Sequence, residues 1–206
     1  MPKGDDSAMI PRLTLEEFRD AFLSRKYNAV VCTTFLGDTR LAIAEQARKY
    51  LSTNALAIDS KVGAAYERLA SADVGCSKSR NQQIDLSILD SKIRDLLGGC
   101  SDLASYFSVV QFNPLQGMTS HRDYSYNRYL LGTFVLEGQL LFGVGVTRET
   151  AYYDNVILMP GDFIALQAPQ GKIDDRRPYF WTCAIEPDQT TLAIRTWLRD
   201  CKSGVE

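Results

Sequence analysis

The segment His121-Arg122-Asp123 holds the pair of side chains best suited to grip a metal ion, and His121 is the only histidine of the chain. Side chains alternate between faces along extended backbone, so His121 and Asp123 point the same way and can chelate one ion together. An imidazole and a carboxylate fill two corners of the facial triad that holds non-haem Fe(II) with positions open for substrate and oxygen. A bare H-x-D is weak by itself, because a lone histidine more often serves as a hydrogen-bonded residue at a strand end. Its surroundings decide.

A second group stands out downstream. Leu192-Ala193-Ile194-Arg195-Thr196-Trp197-Leu198 reads as an apolar strand interrupted by one guanidinium. Alternation puts Arg195 and Trp197 on one face and Ile194 and Thr196 on the other. A charge turned into a core needs a partner, and the arginine fork matches a carboxylate bidentately. The plainer readings are a structural salt bridge or an edge charge. Arg199 falls on the same face as Arg195 and is the second choice. Tyr124, Tyr126, Arg128 and Tyr129 follow the H-x-D pair closely and, with Trp181, are candidates for one wall of a substrate pocket; a rim of ordinary structural residues is the alternative.

The elements that must position these groups change character halfway along the chain. Thr14 can cap a helix whose stripe is Leu15, Phe18, Ala21 and Phe22, with Glu17 returning the capping-box bond. A strand is expected over Asn28 to Phe35, a helix from Gly37-Asp38-Thr39 through Leu51, another from Ser60 to Ala70, and a polar loop over Ser71 to Gln83. Ile84, Ile88, Leu89, Ile93, Leu96 and Leu97 recur at helical spacing up to Gly98-Gly99. Beyond Cys100 the period turns extended. Eight short strands are expected, at Tyr106–Phe112, Met118–His121, Tyr129–Leu136, Gln139–Val146, Tyr152–Met159, Asp162–Leu166, Tyr179–Ile185 and Thr191–Leu198. Helices followed by strands indicate an α+β chain. Residues 1–104 would form a helical support and residues 105–206 a jelly roll, together one integrated domain with the helices packed on the barrel.

In order and spacing, Gln111-Phe112-Asn113-Pro114, H-x-D, Leu158-Met159-Pro160-Gly161-Asp162 and Ala193-Ile194-Arg195 resemble AlkB-like and related 2-oxoglutarate/Fe(II) oxygenases over roughly the C-terminal half. The resemblance implies a double-stranded β-helix, Fe(II) held by His121 and Asp123, and a Pro-Gly-Asp turn leading into an inner strand. It further implies that Arg195 pairs with the distal carboxylate of 2-oxoglutarate as cosubstrate, with Gln111 and Asn113 as further contacts. It also implies a second histidine on the strand before the arginine strand. The chain departs there, and Thr182 aligns with that position. Cys183 would face the other way, and Glu186 and Asp188 lie past the strand beside Pro187. Three outcomes stay open: two protein ligands plus water, a recruited third ligand, or a site that no longer uses iron.

Composition narrows the rest. At 206 residues, with 45% hydrophobic and 23% charged residues, the chain can bury one core without disulfides. Five scattered cysteines with no C-x-x-C spacing suggest neither a disulfide framework nor a zinc knuckle. A formal net charge of -2 offers nucleic acid no broad attraction. No apolar run approaches a membrane span, and the N-terminus has no apolar signal core, so a cytoplasmic location is expected. The leading expectation is an oxygenase that decarboxylates 2-oxoglutarate and hydroxylates a substrate of unspecified class. The alternatives are a non-catalytic barrel binding a small carboxylate or a macromolecular partner and, third, a cupin-like metal enzyme.

Overall fold

The computed structural model describes residues 10–24, 27–53, 57–58, 70–76, 85–96, 103–122, 128–166 and 178–200. In chain order the elements are β1 (Arg12–Leu13), α1 (Leu15–Leu23), β2 (Ala29–Cys32), α2 (Thr39–Thr53), β3 (Ala57–Ile58), β4 (Ala70–Cys76) and α3 (Ser87–Leu96). They continue with β5 (Leu103–Phe112), β6 (Gly117–His121), β7 (Arg128–Glu137), β8 (Leu140–Gly145), a 3-10 turn (Thr150–Tyr152), β9 (Asn155–Leu158), β10 (Phe163–Leu166), β11 (Tyr179–Ala184) and β12 (Thr191–Asp200).

Local chemistry sets the boundaries. The Thr14 backbone N–H donates to Glu17 Oε2 at 3.0 Å, and the Glu17 N–H donates to Thr14 Oγ1 at 3.5 Å, closing the expected capping box of α1. Between β9 and β10 the chain reverses at Gly161 (φ +99°), a conformation open to glycine without strain. Its N–H donates to the Val135 carbonyl at 2.8 Å. Asp162 then buries its carboxylate in the same turn. Oδ2 accepts from Arg12 at 2.6 Å and from the Met159 N–H at 3.0 Å, and Oδ1 accepts from the Thr34 N–H at 3.2 Å.

The described strands form two sheets. The larger runs β1-β2-β10-β7-β12-β5-β4-β3 and the smaller β6-β11-β8-β9. Pairing is antiparallel except between β1 and β2. This is an α+β jelly roll of two facing sheets that, among the described residues, do not close into a barrel. Two apolar layers hold it together. The helices bury Phe18, Phe22, Ile43, Leu89 and Ile93 on one face of the large sheet, against Phe134, Phe163, Ile194 and Leu198. The other face packs Val110, Phe112, Leu131, Val135 and Ala193 against Met118, Phe142, Val144, Phe180 and Ala184 of the small sheet. Each fully buried residue of this kind contributes about 1.5–3 kcal/mol.

Several expectations need correction. Residues 71–83 read as a loop, yet β4 occupies Ala70–Cys76, because β5 offers an edge on which even an Ala-Ser-Ala-Asp sequence can complete a ladder. The strand expected over Asn28 to Phe35 ends at Cys32, where a tight turn with Thr34 at φ 53° begins. The strand expected from Tyr152 starts at Asn155, because residues 150–152 form the 3-10 turn. Residues 59–69, most of the helix expected over Ser60 to Ala70, lie outside the described residues, and Ala70 itself is in a strand. Apart from these corrections, β1 to β4 join the large sheet from the N-terminal region, and β5 begins at Leu103. No helix among the described residues is long and apolar enough to cross a membrane.

Candidate active site between the two sheets

The interior faces of both sheets are almost wholly apolar, which makes their polar exceptions conspicuous. From the large sheet come Ser108 on β5, Thr133 on β7 and Arg195 on β12, each sharing its face with residues of the inter-sheet core. Arg195 is directly opposite Ser108 on one neighbouring strand and Thr133 on the other, so the guanidinium strand is flanked by a hydroxyl on each side. Directly opposed residues in antiparallel sheets hold their Cβ atoms about 4.5–5.5 Å apart, which brings the three side chains together on one face. One step along, Trp197 faces the same interior and stacks on Tyr106, with centroids 5.8 Å apart and planes 4° from parallel.

From the small sheet come His121 at the end of β6 and Thr182 on β11. His121 is 7% exposed, and its Nδ1 lies 2.7 Å from the Thr119 carbonyl. A carbonyl can only accept, so in the neutral ring this contact places the proton on Nδ1 and leaves the lone pair on Nε2, the arrangement of a metal-binding imidazole. Arg122 turns to the opposite side, where Nη2 donates to the Val146 carbonyl at 3.0 Å and the guanidinium lies 4.0 Å from the centroid of the Tyr179 ring. Asp123, Tyr124 and Tyr126 lie outside the described residues.

Phe180 joins the two halves. It is directly opposite His121 on the β6–β11 ladder, with ring centroids 4.3 Å apart, and it stacks on Phe142 at 5.7 Å. The Arg195 guanidinium carbon lies 5.7 Å from the centre of the same ring. Thr182, which sequence alignment set at the position of the second histidine, instead pairs with Met118 on the far side of a register shift. Its Oγ1 is buried with no hydrogen-bond partner among the described residues.

Other candidates are redistributed. Trp181 belongs on the outer face of the small sheet: strand alternation opposes it to Phe180 and Thr182, its Nε1 donates to the Ala151 carbonyl at 2.7 Å, and its ring packs on Tyr152 at 5.2 Å. It does not line the interior. Gln111 shares the face of Phe107 and Val109, towards the helices and away from Arg195, because Val110 and Phe112 take the interior positions. Asn113 is exposed at the turn after β5. Arg199 pairs with Ala104 and Arg128 where the β7–β12 register shifts, and the side chains of Arg128 and Arg199 lie outside the described residues.

Sequence reasoning passed over Ser108, Thr133, Phe180 and Tyr152. Thr133 carried the signal used for Arg195, a single polar residue in an apolar run, whereas Ser108 lies in a strand that also holds Ser105 and Gln111. Tyr152 had a different role to betray. The edge strand β6 carries a register irregularity at Thr119-Ser120, and the Ser120 N–H donates to the Tyr152 hydroxyl at 3.0 Å, one residue from His121. The turn bearing Tyr152 sits against Gly143 and Gly145 of β8, where added Cβ atoms would collide with its backbone.

The Arg195 guanidinium suits a carboxylate, whereas the described residues do not complete a metal triad. His121 is placed to supply one metal ligand through Nε2 when the ring is neutral, but Phe180 across from it has no donor atom. Among the described residues no three His, Cys, Asp or Glu side chains gather as metal ligands.

No family model matches the sequence, and no curated protein matches it. Solved structures do match in fold. A Pseudomonas putida prolyl-4-hydroxylase is 13% identical with a TM-score of 0.61 over 91% of this chain and 99% of that one. The non-heme alpha-ketoglutarate-dependent epimerase SnoN from nogalamycin biosynthesis is 16% identical, TM-score 0.63, over 90% and 82%. The viral collagen prolyl hydroxylase of Paramecium bursaria Chlorella virus 1, solved with 2-oxoglutarate, is 12% identical, TM-score 0.58, over 85% and 97%. At such identities the likeness is one of fold: the chain has the double-stranded β-helix fold of 2-oxoglutarate/Fe(II) oxygenases.

Proposed function

We propose that this protein is a 2-oxoglutarate-dependent oxygenase whose metal site is incomplete, with Arg195 binding the distal carboxylate of 2-oxoglutarate and His121 and Asp123 as the protein ligands to Fe(II). The observation that carries the reading is the meeting of Arg195, from one sheet, and His121, from the other, on the Phe180 ring. A guanidinium between two strand hydroxyls suits a carboxylate, which can accept a fork from Arg195 and further bonds from Ser108 and Thr133. When bound, Fe(II) supplies oxygen activation. The protein's own share is to hold the dicarboxylate, orient its other end towards His121 and exclude water with Phe142, Val144, Phe180 and Trp197.

The test is an anaerobic titration of apo-protein with Fe(II) and 2-oxoglutarate, following the visible charge-transfer band of a chelated 2-oxoacid. A band in the unmutated protein that is absent from His121→Ala is the expected result. No band in either sinks the oxygenase reading.

Phe180 opposite His121 also favours a second reading, a non-catalytic β-helix that binds a small carboxylate. It predicts 2-oxoglutarate binding that depends on Arg195 and is unchanged by chelator, which calorimetry with and without EDTA separates from the first.

A further inference from the structure

We infer that Phe180 stands at the third corner of the metal site, so that the chain presents an apolar wall where a third protein ligand would be. The inference rests on the oxygenase reading of the site. It starts from the ladder: His121 and Phe180 are direct partners, with rings 4.3 Å apart. Side chains so opposed diverge little, and an imidazole in place of the phenyl ring would bring a second ring nitrogen beside that of His121. Thr182 is two residues further along β11 and opposite Met118, one inward position removed from the Phe180–His121 pair. Phe180 is also 2% exposed and stacked on Phe142, so its direction is set by packing. Any metal bound here meets one imidazole, whatever Asp123 adds, and a hydrocarbon face. Its affinity is therefore low without a second chelator such as 2-oxoglutarate, whose distal carboxylate Arg195, 5.7 Å from the centre of the same phenyl ring, can hold.

The test uses the full chain and Co(II) alone as probe, under anaerobic conditions. Phe180→His is expected to tighten Co(II) binding about tenfold or more, at least the size of effect that loss of an outer-shell partner has on a metal site. Phe180→Cys is expected to give the near-ultraviolet cobalt–thiolate band, and it covers the case in which the histidine variant does not fold. Both effects should vanish when His121→Ala is added. Thr182→His and Thr182→Cys should do neither. The inference is overturned if the Thr182 variants match or exceed the Phe180 variants, or if a folded Phe180→Cys protein binds Co(II) without the band. Failure of the functional reading looks different: the Phe180 variants behave as stated, but the unmutated protein shows no 2-oxoglutarate band with Fe(II).

Discussion

Gly145→Ala is the mildest substitution that should disturb the histidine strand from a distance. A Cβ at Gly145 would stand 2.5 Å from the Thr150 carbonyl carbon, 2.6 Å from Ala151 Cα and closer still to Ala151 N. All three are backbone atoms, so no rotamer change relieves the overlap, and the 3-10 turn must retreat by about 1 Å to reach ordinary contact. Two bonds ride on that turn, Trp181 Nε1 to the Ala151 carbonyl at 2.7 Å and the Ser120 N–H to the Tyr152 hydroxyl at 3.0 Å. Overpacking costs about 1–3 kcal/mol, and each strained hydrogen bond adds roughly 0.5–1.5 kcal/mol. The sum is roughly 2–6 kcal/mol, and in a chain of this size each kcal/mol lowers Tm by about 2–4 °C. Urea unfolding monitored by tryptophan fluorescence measures the loss, with Trp181 and Trp197 both contributing to the signal. Tyr152→Phe isolates the hydroxyl and should cost about 1 kcal/mol. A Gly145→Ala protein within 0.5 kcal/mol of the parent, roughly the noise of such surface changes, would show that the turn is not seated as described.

Asp162→Ala strips the acceptor from two backbone N–H groups and from Arg12. With the carboxylate nearly fully buried and Arg12 partly exposed, the expected loss is about 3–5 kcal/mol by urea melt; a cost under about 1 kcal/mol would refute the clamp. Arg195→Met should weaken 2-oxoglutarate binding by roughly 10- to 100-fold in calorimetry, the loss of charged hydrogen bonds worth about 1.5–3 kcal/mol, while Ser108→Ala should cost less; unchanged affinity in Arg195→Met would remove the carboxylate site. Burial, and then the charge of Asp162, push the Cys32 thiol from 9.0 up to about 12. The fold therefore prefers the neutral thiol, so its contribution is present below pH 9 and is lost as pH rises towards 12, up to about 4 kcal/mol at 1.4 kcal/mol per tenfold. The stability gap between the parent and Cys32→Ala should narrow across that window, and a constant gap would contradict the assignment.

What could be read from the sequence follows from which elements have one wet face. Helix α1 carries a capping box and an apolar stripe: the box forms as expected, Phe18 and Phe22 are buried with Ala21 packed against the core, and Leu15, expected in the stripe, is instead 54% exposed at the first turn. Arg195 was legible because one charge in an apolar strand has few places to go, and alternation set it beside Trp197 on the inner face. Strand β5 offered no such phase. It packs apolar residues on both faces, so nothing in the pattern says that Val110 and Phe112, rather than Gln111, look into the interior. Strand β4 was hidden for the opposite reason, a weak strand sequence stabilised by the edge it joins. Trp181 was a matter of phase alone: an inward Thr182 already requires Trp181 to turn outward, to the face where the Tyr152 turn receives it.

Register is the part no single strand contains, and the metal corner depends on it. Pairing on the β6–β11 ladder runs Cys183 with Gly117 and Thr182 with Met118, and without interruption that count would carry Phe180 to Ser120. The irregularity at Thr119-Ser120 inserts one residue on β6, and Phe180 meets His121 instead. The same insertion leaves the Ser120 N–H to a side-chain acceptor, which Tyr152 provides. The bulge therefore does two things at once: it selects which residue of β11 confronts the histidine, and it makes the histidine strand depend on a turn seated over two glycines of β8. An alignment that counts residues along β11 alone cannot find the first, and a search for ligands among charged and thiol side chains cannot find a phenyl ring.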